Sequence, residues 1–292
     1  MRLTSAYAGI VAIWSTTPLA LKWSTEAGFL LGLLLRMIVA VMVAVPLVVL
    51  LRRGLPLHDR ARQLYLVGGG TMFIMLALSN WSAQFVPSGW LSVVFGLTPI
   101  VTSLMASTWL DEPEVTRSGL VSLALSLLGL GLIFGRGVEP GAQILFGIGA
   151  LLVAVLCYAG SLVWIKRIDA RVDSIASMAG TMVVALALAL VCWAADGAEW
   201  PTVFSSRAIG SILYLGSVAS VIGWTLFYLL LRHLDTTRIA LINLITPVAA
   251  LLIGHFLNSE PLNSAIWAGT ALVLSGLIWF QFGSRIAARL RA

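Results

Sequence analysis

Long apolar runs recur along the chain, separated by short polar connections. They fall at approximately 5–22, 28–51, 64–85, 88–110, 117–135, 143–165, 174–195, 208–231, 238–257 and 264–282. About 20 apolar residues in a helix cross the roughly 30 Å hydrocarbon core of a bilayer. The runs are too long for strands and lack a strand's strict alternation of polar and apolar positions. The pattern predicts an all-α integral membrane protein of ten transmembrane helices. No connection is long enough to form a soluble domain, so residues 1–292 read as a single membrane domain. The first run, behind Met1-Arg2-Leu3-Thr4, has no small-residue cleavage site after it and closes on Lys22-Trp23, so it reads as a retained helix rather than a signal peptide.

The basic residues of the connections orient these helices. With the N-terminus cytoplasmic, fourteen of the 18 Lys and Arg fall on the cytoplasmic side, and three, Lys22, Arg136 and Arg207, on the other. Positive charge concentrates on the cytoplasmic side of membrane proteins, so both termini are expected there.

The two halves of the chain also match each other. Gly96-Leu97-Thr98-Pro99 lies fourteen residues before Pro113 of Glu112-Pro113, and Leu244-Ile245-Thr246-Pro247 lies fourteen before Pro261 of Glu260-Pro261. The offset is 148 residues, and Gly68 pairs with Gly216 at the same offset. Trp14 and Lys22 fall opposite Tyr158 and Lys166 at an offset of 144. The halves, approximately 1–138 and 139–292, each carry five predicted helices. Five is odd, so the second half enters the membrane from the opposite side, and the prediction becomes a 5+5 inverted repeat. Inverted repeats recur in transporters, because two similar halves in opposite orientations can exchange inward-open and outward-open shapes.

Composition narrows the reading. Hydrophobic residues make up 60% of the chain and charged residues 10%, against about 25% in a soluble domain. The net charge of +6 sits between apolar segments, where it orients the protein, so nucleic acid is not an expected partner. Cys157 and Cys192 lie within apolar runs at a spacing that fits neither a metal site nor a disulfide framework. No HExxH, GxSxG or P-loop pattern is present, which disfavours an intramembrane enzyme. The chemistry calls for no cofactor and no metal.

The Thr-Pro and Glu-Pro motifs in both halves, the stretch Ile13-Trp14-Ser15-Thr16-Thr17-Pro18 and Arg36 in the second helix together resemble the EamA family of the drug/metabolite transporter superfamily. The resemblance covers the whole chain. It implies a small-metabolite carrier of a bacterial inner (plasma) membrane, acting as an exporter of small neutral or zwitterionic solutes. Amino acids, aromatic ones included, fit that implication. A carrier of nucleosides, purines or organic cations is the alternative. The expected partners are the solute and membrane lipid, with the protein a monomer.

Several residues could carry transport. Pro99 and Pro247 fall in mid-helix by the apolar pattern, where each removes a hydrogen bond and frees the carbonyl four residues earlier, on Phe95 and Asn243. In lipid such a carbonyl needs a partner in protein, water or ligand. Asn80, Thr98, Asn243 and Thr246, with Tyr158 and Tyr228, are polar groups near the midplane. Each could contact solute or simply join helices. Trp14, Trp81 and Trp224 lie deep enough to stack on a solute, with packing as the alternative. Thr17 joins the candidate set from the first-helix motif. The other eight tryptophans, Trp90 among them, are expected in the aromatic belts. Arg36 could pair with a solute carboxylate but reads as structural, and His255 could titrate near neutral pH but reads as a packed histidine. All twelve Asp and Glu fall in connections or at helix ends, so no buried carboxylate is expected and transport is predicted to be uncoupled from protons. Gly28/Gly32 and Gly131/Gly135 have the spacing that permits close helix approach.

Overall fold

The computed structural model describes residues 3–109, 117–136, 141–197, 200, 204–233 and 242–290. Every regular element among them is helical. In chain order they are α1 (Leu3–Ser24), α2 (Phe29–Leu50), α3 (Asp59–Ala83), α4 (Ser88–Phe95), α5 (Thr98–Trp109), α6 (Arg117–Arg136), α7 (Ala142–Ile168), α8 (Ser174–Asp196), α9 (Ser206–Leu213), a π-helical segment Tyr214–Gly223, α10 (Trp224–His233), α11 (Ile242–Asn258) and α12 (Ser264–Leu290), with a single 3₁₀ turn at Thr25–Ala27. Six helical stretches are individually long and apolar enough to cross a membrane: Phe29–Leu50, Asp59–Ala83, Ser88–Trp109, Ala142–Ile168, Ser174–Asp196 and Ser206–Phe227. Shorter apolar helices run over Gly119–Ile133, Ile245–Asn258 and Ser264–Phe280.

Two elements differ from the hydrophobic pattern. The run 88–110 is interrupted at Gly96-Leu97. Pro99 cannot donate to Phe95, and the chain there tightens into three-residue bonds, Gly96 N to Val93 O at 3.1 Å and Leu97 N to Val94 O at 3.0 Å. Pro99 therefore sits in the first turn of α5, not in mid-helix, where its missing N–H costs little. The freed carbonyl of Phe95 accepts from the Thr98 hydroxyl at 2.7 Å. In the second half Pro247 does lie inside α11, as the pattern predicts. The other difference is Tyr214–Gly223, where hydrogen bonds reach five residues back. Helix starts at the connections follow capping rules: the Asp173 carboxylate accepts from Ile175 N at 3.0 Å, and Ser205 Oγ from Ala208 N at 3.0 Å.

The helices associate in pairs. α3 packs along α7 and α8, α2 along α8 and the π segment, α1 along α11, and α5 along α7. α4 crosses α11, and α6 lies along α12 in the most extensive pairing. Close approach depends on glycines at several crossings, those of α6 with α12 and of α4 with α11 among them. A Cβ at Gly129 would sit 2.5 Å from the backbone oxygen of Gly269, and one at Gly269 would sit 2.5 Å from that of Gly129. At the second, a Cβ at Gly89 would come within 2.9 Å of Leu251 Cα. The predicted glycine pairs do not mark these approaches: Gly28 and Gly131 face open space, and the side-chain surroundings of Gly135 lie outside the described residues. Gly32 does pack closely, against the Ser24 carbonyl.

The α4–α11 crossing holds a carboxylate that the sequence pattern does not predict to be buried. Glu260 is 8% exposed. It accepts from Ser88 N at 3.0 Å, Ser88 Oγ at 2.9 Å, Gly89 N at 3.4 Å and Asn258 Nδ2 at 3.1 Å. The first N–H groups of α4 have no partner within the helix, and the carboxylate caps them and meets the positive end of the helix dipole. A Cβ at Gly254 would stand 2.5 Å from its Oε2, so glycine there leaves room for it. Lys22 Nζ lies 3.9 Å from Oε1 and donates to Val86 O at 3.1 Å. Trp23 Nε1 donates to Asn258 Oδ1 at 3.0 Å, extending the network to α1. His255 has its ring Nδ1 2.8 Å from the Glu260 carbonyl but is exposed at the end of α11, not packed in the interior as the sequence pattern predicts.

Glu260→Ala is expected to lower stability by about 1–3 kcal/mol, because it strands buried donors, and Glu260→Gln by less, since it keeps one acceptor oxygen. Thermal unfolding of the purified protein in detergent checks the order. Gly129→Ala should lower the same midpoint by forcing α6 and α12 apart, whereas Gly131→Ala should leave it unchanged or raise it.

Candidate functional site

Trp14 on α1, Tyr158 on α7 and Trp224 on α10 meet inside the bundle. The Trp14 and Trp224 rings lie 6.2 Å apart in edge contact, and Tyr158 stands 6.0 Å from Trp224. Phe227 joins from α10, 5.2 Å from Trp14 and 5.7 Å from Trp224, and Phe95 from the end of α4, 6.4 Å from Tyr158. Edge-to-face geometry at these separations is favourable for aromatic quadrupoles. Trp14, Tyr158 and Trp224 are only half-buried, so part of each ring surface stays open. The cluster draws on four helices from both halves of the chain, and three of the sequence candidates form it.

Two features of the cluster escape the sequence reading. Pro18, inside α1, cannot donate to the carbonyl of Trp14, so Trp14 brings a freed backbone acceptor as well as a ring. Trp224 follows directly on the π segment, and wide turns of this kind favour functional sites. Pro18 closes the first-helix motif, and its position alone implies the freed carbonyl. The π segment has no hydropathy signature. Gly223 keeps the approach open, since a Cβ there would stand 3.3 Å from Trp14 Nε1.

The remaining candidates are placed elsewhere. Asn80 is buried, donating to Leu76 O at 2.9 Å and accepting from Ser24 Oγ at 3.4 Å, so it joins α3 to α1. Trp81 packs on Phe85 of the next turn, with ring centroids 5.2 Å apart. Thr17 donates to Ile13 O at 2.7 Å within its own helix. Thr98 is spent on Phe95 O, beside the cluster. Thr246 and Pro247 are buried in α11, and the side chains of Tyr228 and Asn243 lie outside the described residues. Trp90 is 1% exposed and belongs to the core, not to an aromatic belt, because α4 is enclosed by α11, α1 and α7. Trp109, Trp164, Trp200 and Trp267 are exposed.

Arg36 on α2 is 4% exposed, and its Nε donates to Ser220 Oγ at 3.1 Å. A separate groove of about 580 Å³ runs between α1, α9 with the π segment, and α11. It is lined by Ile13, Thr16, Trp23, Arg207, Tyr214 and Ile253 among others, and none of the candidates faces it. Its rim holds Arg207 over the Trp23 ring at 5.2 Å and 3.9 Å from Glu26. Among the described residues no group of three or more His, Cys, Asp or Glu could hold a metal ion.

The EamA-like transporter family matches this chain twice, over residues 5–135 and again over 145–281. The chain belongs to that family. It is thereby a transporter of the drug/metabolite superfamily. An uncharacterized transporter of Archaeoglobus fulgidus is 28% identical over 198 residues, 68% of this chain and 69% of that protein. A probable amino-acid metabolite efflux pump of Salmonella typhimurium is 25% identical over 209 residues, covering 69% and 70%. An uncharacterized transporter of Bacillus subtilis, YoaV, is 25% identical over 250 residues, covering 82% and 83%. A solved crystal structure superposes with a TM-score of 0.67 over 97% of this chain and 98% of its own, at 19% identity, which shows a shared fold.

Trp14→Ala and Trp224→Ala should each weaken binding of aromatic solutes by roughly five- to tenfold, as expected for loss of an aromatic contact. Competition binding to the purified protein measures this. Unchanged affinity in both variants would assign the cluster to packing.

Proposed function

We propose that this transporter exports small neutral or zwitterionic metabolites, with amino acids, aromatic ones included, as the leading class. The proposed setting is a bacterial inner membrane, with both termini cytoplasmic. The single observation that carries the solute class is the half-open aromatic cluster of Trp14, Tyr158 and Trp224. Its ring faces suit an aromatic or aliphatic side chain, and the freed carbonyl of Trp14 suits an ammonium group. The printed name of the Salmonella relative points the same way.

The transport cycle we infer is alternating access between two inverted halves of five spans each. Support comes from the double family match and from the packing, in which exchanging the halves maps α3 with α7 onto the π segment with α1, and α1 with α11 onto α7 with α5. The π segment and α3 occupy equivalent places, and their paired glycines behave alike. A Cβ at Gly68 would stand 2.6 Å from Thr181 of α8, and one at Gly216 would stand 2.9 Å from the Arg36 carbonyl of α2. Ten crossings follow if every predicted segment spans the bilayer.

The one buried carboxylate among the described residues is Glu260. Its oxygens are occupied by the α4 N-terminus and Asn258, with Lys22 nearby. It acts as a helix cap and supplies no vacant cation site, so we infer movement of solute down its own gradient without proton coupling.

Proteoliposomes loaded with amino acids, nucleosides or organic cations test the whole reading. Efflux of neutral and aromatic amino acids, with rates indifferent to an imposed proton gradient, is the expected result. Uphill accumulation driven by protons would overturn the uncoupled cycle, and flux restricted to organic cations would overturn the solute class.

A further inference from the structure

Arg36 is an enclosed charge with little to hold it. Its Nε donates to Ser220, whereas Nη1 is fully buried and has no partner among the described residues. The ion pairs among the described residues are Lys22–Glu260, Arg53–Asp173, Arg171–Asp169 and Arg207–Glu26, and none involves Arg36. A guanidinium stays charged at any physiological pH, and an ionic group removed from water without a counter-charge is strongly destabilising. Joining α2 to the π segment through Ser220 requires one neutral donor, so the hydrogen bond alone does not account for a cation here.

The position of Arg36 supplies the missing part. Leu33 and Met37 of α2 share a packed cluster with Phe95 and Tyr158. Ala40, one turn further on, shares another with Val221 and Trp224. Arg36 lies between these residues on the helix, and Ser220 precedes Trp224 by four residues, about one turn. The guanidinium therefore borders the aromatic cluster. With Nε engaged by Ser220, its terminal edge is left, and that edge matches the two oxygens of a carboxylate. Arg36 is the one buried basic side chain among the described residues, so a monoanion is matched and a phosphate dianion is not.

We propose that Arg36, oriented by Ser220, binds the carboxylate of a monocarboxylate solute whose remaining atoms lie against Trp14, Tyr158 and Trp224. The proposal rests on the transport reading above for the solute's route, and it makes α2 the element that selects for an acid group.

Phenylacetate and phenylacetamide have nearly the same shape and differ in charge, so they serve as probes. Thermal unfolding of the purified protein in detergent is followed against each, with sulfate as an ionic-strength control. Phenylacetate should raise the midpoint in a saturable way and phenylacetamide should not. In Arg36→Gln the apparent affinity for phenylacetate should fall by about tenfold or more, with the response to the amide unchanged, and Arg36→Lys should fall in between because it keeps the charge without the fork. If Arg36→Gln does not fold, Arg36→Lys and Ser220→Ala carry the comparison. An equal response of the wild type to both probes overturns the proposal, as does a preference for phenylacetate that survives in every folded variant. A carboxylate preference without flux in proteoliposomes would leave this site standing and sink the transport reading. Amino-acid flux without that preference would do the reverse.

Discussion

Lipid offers no hydrogen bonds, and the architecture is arranged around that fact. A backbone group left open in hydrocarbon costs several kcal/mol, so each place where a helix breaks needs a local answer. The break between α4 and α5 is answered by Thr98, whose hydroxyl meets the carbonyl that Pro99 abandons. The start of α4 is answered from the far half of the chain by Glu260. That one carboxylate fixes α4 against α11 and brings Lys22 and Trp23 of α1 into the same network. The carbonyl freed by Pro18 is that of Trp14, a member of the aromatic cluster, and the proposed solute would answer it.

The chain thereby separates two uses of charge. Glu260 is saturated with donors and serves the fold. Arg36 is enclosed with a single hydrogen bond among the described residues, and on the proposal above its remaining edge serves a solute. Between them the aromatic cluster provides surface without charge. On that proposal the site would distinguish solutes by their acid group at one edge and tolerate variety in the side chain at the other.

Much of this was legible in the sequence. Helix forms in every long apolar run and covers most of its described part, the break at Gly96-Leu97 being the main exception, because twenty apolar residues have few alternatives in lipid, and the repeated Thr-Pro and Glu-Pro motifs pointed to the family. Of the deep tryptophans and Tyr158, three meet in one cluster and Trp81 packs on Phe85 instead. Asn80 and Thr17 could not be sorted in advance: their hydroxyl or amide can turn to its own helix or outward, and only packing decides. The burial of Glu260 was hidden for a related reason. A residue just past a helix end looks solvent-facing until another helix begins above it. Trp90 resembled a belt residue by its depth, yet the enclosure of α4 makes it core. The π segment left no mark, because widening a turn does not alter which residues are apolar.

The crossing of α6 and α12 has a consequence for how the gene can change. A side chain at Gly129 collides with the backbone of Gly269, and one at Gly269 with the backbone of Gly129. Many packing faults can be repaired by shrinking the neighbour. Here the neighbour is already the smallest residue, and the obstructing atom is a carbonyl oxygen that every amino acid carries. Neither position can be rescued by a change at the other. The two halves, free to diverge along most of their length, are tied at this point to a composition that drift in one copy cannot relax.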